Sequence, residues 1–191
     1  LHAGVCLLAP LLIAVIASRV TEIERAGNGW LLFAASGTTP GQLCRAKFLA
    51  LGAPLAAVCV LWGLCVPMWG ALLGVPAPVP TGRIVAYTAS VCVISLVILA
   101  LQLLISLASD NQLLAVGAGM LGVLLSMIGA MAPTWAQYLT PWTYYSLVAP
   151  MTFTGSDPVY LDAPFPGALV LAIAGAVAFT VITTRLDRKE V

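Results

Sequence analysis

The sequence predicts an all-α polytopic membrane protein with one transmembrane domain over residues 1–191. Of its residues, 61% are hydrophobic and 8% are charged, whereas soluble domains carry about 25% charged residues. A soluble fold of this composition would expose more apolar surface to water than a monomer tolerates. The net charge is +1, and no basic patch with interleaved aromatic residues indicates a nucleic-acid partner. The lipid bilayer is the expected surrounding.

Five apolar runs without charged residues predict five transmembrane helices, because uninterrupted apolar stretches of this kind are typical of bilayer spans. A Pro/Gly-rich connector separates the second run from the third, and a short polar segment ends the third. A long aromatic connector precedes the last run. The five predicted spans cover about residues 3–18, 48–73, 84–108, 113–132 and 165–184.

The positive charges predict the orientation in the membrane. Seven of the eight Lys and Arg residues lie in the connector 19–47 or at the C-terminus, and Arg83 alone falls on the other side. Because cytoplasmic connectors carry an excess of Lys and Arg, we expect the connector 19–47 and the C-terminus to be cytoplasmic and residues 133–164 to be external. The sequence begins without Met, directly at a span, so we expect one earlier span and six in the intact protein.

The connector 19–47 predicts more structure than an ordinary loop. Its first part, "SRVTEIERAG", is polar and compatible with a helix that Gly27 would end. A short apolar run follows, with Trp30 at the height of the lipid headgroups. Thr39 then provides an N-cap, with Pro40 at the first helical position and Gln42 completing a capping box. A helix from there to residue 73 would be about 51 Å long, which exceeds the bilayer core of about 30 Å. The alternative is a loop whose charges only set the topology.

At these residues the sequence resembles the permease subunits of ABC-2-type ABC transporters, with a weaker similarity to their lantibiotic-immunity and bacitracin-type branch. The resemblance implies helices 2–6 of a six-helix permease, a cytoplasmic coupling helix that rests on a separate ATP-binding subunit, ATP and Mg bound by that partner, and a second permease copy or paralogue. The ATPase-coupling residues that it implies are Glu22, Glu24, Arg25, Gly29, Trp30, Pro40 and Lys47.

The external connector 133–164 is rich in Trp, Tyr and Pro. Related permeases carry a re-entrant helical hairpin here, before the last span, so the resemblance implies one in this chain as well. An ordinary aromatic belt at the outer interface is the alternative. The residues concerned are Trp135, Tyr138, Pro141, Trp142 and Tyr145.

Small residues recur at every fourth position of the fourth span, which allows two helices to approach closely. This stripe predicts packing within the helix bundle or, alternatively, at a dimer interface. In the third span, Gln102 is the most polar side chain at depth and predicts an interhelical hydrogen bond. The stripe consists of Ala118, Gly122, Ser126 and Ala130.

The sequence contains no P-loop and no hydrolase or zinc-protease motif, and its five spans contain no ionisable residue of the kind that ion pathways use. We therefore expect no enzymatic activity and no metal or cofactor of the chain's own, and the resemblance implies a permease subunit in a bacterial cytoplasmic membrane. The resemblance also implies export, and the apolar interior suggests a peptide, lipid-like or drug-like substrate. The alternatives are a non-transporting sensor or scaffold and an intramembrane enzyme that uses Asp157 or Asp162.

Overall fold

Helices make up most of the chain. The computed structural model describes residues 2–27, 29, 32, 35–74, 81–109, 111–129, 131–149, 151–154, 157–160 and 165–188. Its helices are α1 (His2–Ala26), α2 (Pro40–Leu72), α3 (Thr81–Ala108), α4 (Gln112–Gly129), α5 (Thr134–Gln137), α6 (Tyr144–Leu147) and α7 (Phe165–Arg188), and its strands are β1 (Met151–Thr154) and β2 (Asp157–Tyr160).

The long helices are those of a membrane-embedded protein. Among the described residues, four helices (α1, α2, α3 and α7) are long and apolar enough to cross a bilayer, and α4 is a shorter apolar helix. Their outward faces carry large apolar side chains, such as Leu72 and Leu113, which are more than 70% exposed. Such a surface requires lipid rather than water around it. The prediction of a mainly helical membrane protein is confirmed, with four clear spans and a fifth, shorter helix where five spans were expected.

Helix α3 is at the centre of the bundle and provides the largest share of its core. This helix packs against α1, α2, α4 and α7, and it also contacts α6. Its apolar residues Ile94, Ile98 and Leu103 are completely buried. An apolar residue on almost every face of α3 is what a helix surrounded by other helices requires.

Helix α2 begins as the capping pattern predicts. Thr39 is the N-cap, Gln42 completes a capping box, and Pro40 occupies the first turn. The whole helix is 33 residues long and passes through Pro54 and Pro67. Its length is about 50 Å at 1.5 Å per residue. Prolines are tolerated inside membrane helices because neighbouring groups satisfy the freed backbone carbonyls.

The polar segment after the first span is helical, as its sequence predicts, and it is continuous with that span. It forms the last two turns of α1, which runs without a break to Ala26. No Gly or Pro interrupts the sequence between Ser18 and Ala26, and Gly27 follows in a turn. The first span and the acidic segment are therefore parts of one rigid rod.

The segment before α7 combines two single-turn helices with a two-stranded hairpin. Strands β1 and β2 pair antiparallel, from Met151 opposite Tyr160 to Thr154 opposite Asp157. The sequence did not predict this hairpin within an otherwise helical fold. The backbone of Asp157 lies in β2, whereas Asp162 lies outside the described residues.

Candidate functional site

The polar ends of three long helices meet at one end of the bundle. The C-terminal turns of α1 and α7 lie beside the N-terminal turns of α2, and two ion pairs join them. We call the group formed by Thr39, Arg45, Lys47, Glu24 and Asp187 the charged layer. It flanks the connector 27–39, which links α1 to α2.

One ion pair joins α1 to α2. Lys47 Nζ lies 2.5 Å from Glu24 Oε2, and the two side chains are 5% and 22% exposed. Removing one member of a buried pair leaves the other charge without compensation, which is strongly destabilising. The end of α1 is therefore held to the second turn of α2.

A second set of contacts joins α2 to α7. Arg45 Nη2 donates to Asp187 Oδ2 over 2.9 Å, and Thr39 Oγ1 donates to Asp187 Oδ1 over 2.5 Å. The same Thr39 oxygen accepts a hydrogen bond from the backbone N–H of Gln42 over 3.3 Å. The N-cap of α2 thus also binds the last turn of α7, and hydrogen bonds to a charged acceptor are the stronger kind.

Gly41 permits the close approach of α2 and α7. A Cβ atom at this position would collide with the backbone oxygen of Thr183 and with the carboxylate of Asp187. One collision is with backbone, so a side-chain rotation cannot relieve it. Two turns further along α2, the rings of Phe48 and Phe179 lie 5.0 Å apart and continue the same contact into the apolar part of the bundle.

The predicted coupling residues divide into several groups in the structure. Glu24 and Lys47 bind each other, and Pro40 forms the first turn of α2. Glu22 is half-exposed and accepts from Arg19 Nη1 over 3.0 Å. A Cβ atom on Gly29 would lie 3.0 Å from the backbone oxygen of Glu24, so this glycine lies against the last turns of α1. The side chain of Arg25 and the whole of Trp30 lie outside the described part of the chain.

The predicted external aromatic residues also separate. Tyr145 is completely buried, with its hydroxyl 2.9 Å from Ser95 Oγ on α3. Since Ser95 donates to the carbonyl of Val91, the tyrosine hydroxyl is the donor between the two. Trp135 is 70% exposed, and Tyr138 is partly exposed. Residues 144–148 thus pack into the bundle, whereas Trp135 and Tyr138 remain at its surface.

The small-residue stripe on α4 faces this aromatic segment. The indole of Trp142 lies where a Cβ atom of Gly122 would be, and Ser126 Oγ donates to the Trp142 carbonyl over 2.9 Å. Pro141 lies in the turn before Trp142 and is half-buried. Of the other stripe residues, Ala118 is half-buried and the predicted position Ala130 lies outside the described residues. Where the stripe is described, it packs within the chain.

Gln102 joins α3 to α4 in the bundle interior. It is completely buried. In the amide orientation that satisfies both groups, its nitrogen donates to the Ala115 carbonyl over 3.1 Å and its oxygen accepts from the Gly119 N–H over 3.3 Å. This is the interhelical hydrogen bonding that the sequence indicated. Within the described ranges, no group of three or more His, Cys, Asp or Glu side chains is arranged to hold a metal ion.

The sequence did not single out Asp187 or Arg45. Asp187 lies among basic residues at the end of the last apolar run, where the charges by themselves indicate only the orientation in the membrane. One signal was available: a single acidic residue at the end of an apolar helix, next to an arginine and a lysine, needs a partner wherever it is partly buried. The sequence could not identify a partner 142 positions away.

Comparisons of the chain with protein-family models, with curated proteins and with solved structures find no match. Membership of the ABC-2 family therefore stays a prediction from the sequence pattern. The function proposed below rests on that pattern and on the geometry of the charged layer.

Proposed function

We propose that this chain is the membrane-spanning subunit of an ATP-driven transporter and that a separate ATP-binding subunit acts on its coupling region 19–47, which includes the connector 27–39 between α1 and α2. The observation that carries the proposal is the charged layer. It links the ends of α1, α2 and α7 on both sides of the one connector whose sequence resembles a coupling helix.

The contacts of the charged layer would transmit a displacement of that connector. Glu24 is in the last turns of α1, and its partner Lys47 is two turns into α2. Arg45 and Thr39 attach the same end of α2 to Asp187 on α7. A push on the connector would therefore move three helix ends together. Small shifts at packed helix ends become rigid-body motions because packed interfaces are not continuously deformable.

The apolar interior is consistent with a transporter that is driven through contact with a partner subunit. Proton- or ion-coupled carriers place Asp, Glu, His, Lys or Arg side chains within their membrane helices, and the described parts of the predicted spans contain none of these residues. The proposed substrates are peptide, lipid-like or drug-like molecules, and the proposed direction is export. The proposed assembly is a dimer with a second permease copy or paralogue, in a bacterial cytoplasmic membrane with the C-terminus inside.

The experiment is to purify the tagged chain from its own membranes in mild detergent and to measure the ATP-binding subunit retained with it. The test variant replaces three of the predicted coupling residues outside the charged layer, Glu22, Arg25 and Trp30, with Ala. The control is Arg83→Ala, at the opposite end of the bundle. We expect the triple variant to lose the partner and the control to keep it.

Two results would contradict the proposal. The first is that the wild-type chain purifies without any ATP-binding subunit, which would favour the sensor or scaffold alternative. The second is that the triple variant retains as much of the partner as Arg83→Ala does, which would place the contact elsewhere. The helical content of each variant, measured by circular dichroism, shows that a lost partner does not result from lost folding.

A further inference from the structure

An apolar groove runs between α1 and α2. Its walls are the faces of α1 from Gly4 to Ile16 and of α2 from Leu51 to Trp62, and its floor is formed by Val91 and Ser95 of α3. The groove has a volume of about 460 Å³. Almost all of its lining is apolar, so its occupant must be apolar too.

The dimensions of the groove match a single acyl chain. Twelve residue steps along α1 and eleven along α2 correspond to about 18 and 16 Å, and one leaflet of the hydrocarbon core is about 15 Å deep. A transmembrane helix must cross about 30 Å of hydrocarbon, which is nearly twice the length of the groove. The length of the groove therefore matches one acyl chain in one leaflet rather than a helix that crosses both leaflets.

A positive charge lies at one mouth of the groove. Arg19 follows Ile16 by three residues and Leu12 by seven, so it shares the helix face that forms the wall. Its side chain is 64% exposed and contacts Glu22 through one nitrogen. A guanidinium has five N–H donors, and its geometry matches a phosphate group. This mouth is the one nearer the charged layer.

We propose that the groove binds one acyl chain of an anionic phospholipid from the leaflet at the charged end of the bundle, with the lipid phosphate on Arg19. The arginine then holds the headgroup while α1 and α2 enclose the chain. This site does not depend on ATP-driven transport, because it uses only the apolar walls and one exposed cation.

The test uses Trp62, which lines the groove, as a fluorescent reporter. The purified full-length chain, washed of lipid in detergent, is titrated with phosphatidylglycerol brominated on its acyl chains. The part of the wild-type quenching that disappears in Trp62→Phe measures lipid in the groove. The quenching that is absent from Trp69→Phe reports an ordinary lipid-facing position, since Trp69 is on the same helix and 57% exposed. We expect Trp62 to be quenched at about one lipid per chain, at about tenfold less lipid than Trp69 needs.

Three variants define the site. Ala9→Phe fills the groove and is expected to raise the lipid needed at Trp62 about tenfold, because several methylene groups lose their contact with the protein. Ala53→Phe places the same ring on an exposed position of α2 outside the groove and is expected to change nothing. Arg19→Gln is expected to weaken quenching by phosphatidylglycerol but not by brominated phosphatidylcholine.

Two outcomes would overturn the proposal. If Trp62 and Trp69 require the same amount of lipid, the groove holds only exchanging bulk lipid. If Trp62 resists quenching at every ratio while Trp69 responds, a protein segment occupies the groove. Equal helical content in Ala9→Phe and Ala53→Phe separates a filled groove from a misfolded chain.

Discussion

Replacing Lys47 with Met should destabilise the protein by about 3 kcal/mol or more. Two unit charges separated by the 2.5 Å of the Lys47–Glu24 pair attract by about 6–7 kcal/mol at an effective dielectric constant of about 20. Dehydration of the two groups, which costs several kcal/mol per ion, offsets most of this attraction. The lysine has already lost nearly all contact with solvent, at 5% exposure. The single substitution therefore leaves a partly buried carboxylate without its cation, for which about 3–5 kcal/mol is typical.

The assay is reversible unfolding in mixed micelles, followed by circular dichroism for wild type, Lys47→Met and the double variant Glu24→Leu/Lys47→Met. The double variant should recover most of the loss, because replacing both members of a buried pair with apolar residues is often neutral. Glu22→Gln breaks an exposed pair of the same type and should cost at most about 1 kcal/mol. Should Lys47→Met prove no more costly than Glu22→Gln, or the double variant be worse than the single, the reasoning from burial would be refuted.

Three further substitutions test other contacts in the same unfolding assay. Gly41→Ala should separate α2 from α7 and lower stability by about 1–3 kcal/mol, since overpacking has that cost, whereas Gly70→Ala, where an added Cβ meets open space, should be neutral or stabilising. Asp187→Asn should lower stability because two hydrogen bonds lose their charged acceptor; an unchanged midpoint would exclude it as a link between helices. Gln102→Leu should cost about 0.6–2 kcal/mol, the range for hydrogen bonds between membrane helices, and a stabilised variant would contradict the bridging role.

Most of the fold can be predicted from hydropathy and from helix-capping residues, because both signals depend on residues that are close in sequence. The start of α2 at Pro40 follows from Thr39, Pro40 and Gln42. The end of α1 follows from Gly27. Polar residues after Ser18 end the membrane span but not the helix, because nothing before Gly27 breaks the helical pattern.

The contacts of the charged layer could not be predicted in the same way. The Thr39–Asp187 bond spans 148 positions and the Tyr145–Ser95 bond spans 50. In each case the sequence shows a polar residue in or beside an apolar helix, which indicates that a partner is needed. The partner's identity depends on which helices are neighbours and in what register. Local sequence patterns do not determine that arrangement.

The structure changes how the predicted coupling residues must be tested. If Glu24 and Lys47 were exposed contacts, replacing either would weaken only the binding of a partner. Since they bind each other at the base of the connector, their loss also releases α1 from α2.

A variant such as Glu24→Ala could therefore lose an ATP-binding subunit in two ways, through a missing contact or through a displaced connector. The double variant Glu24→Leu/Lys47→Met separates them, because it removes both charges while it should keep the helices together. If this variant still retains the subunit, the pair acts by positioning the connector. If it folds but loses the subunit, at least one of the two charges takes part in binding the partner.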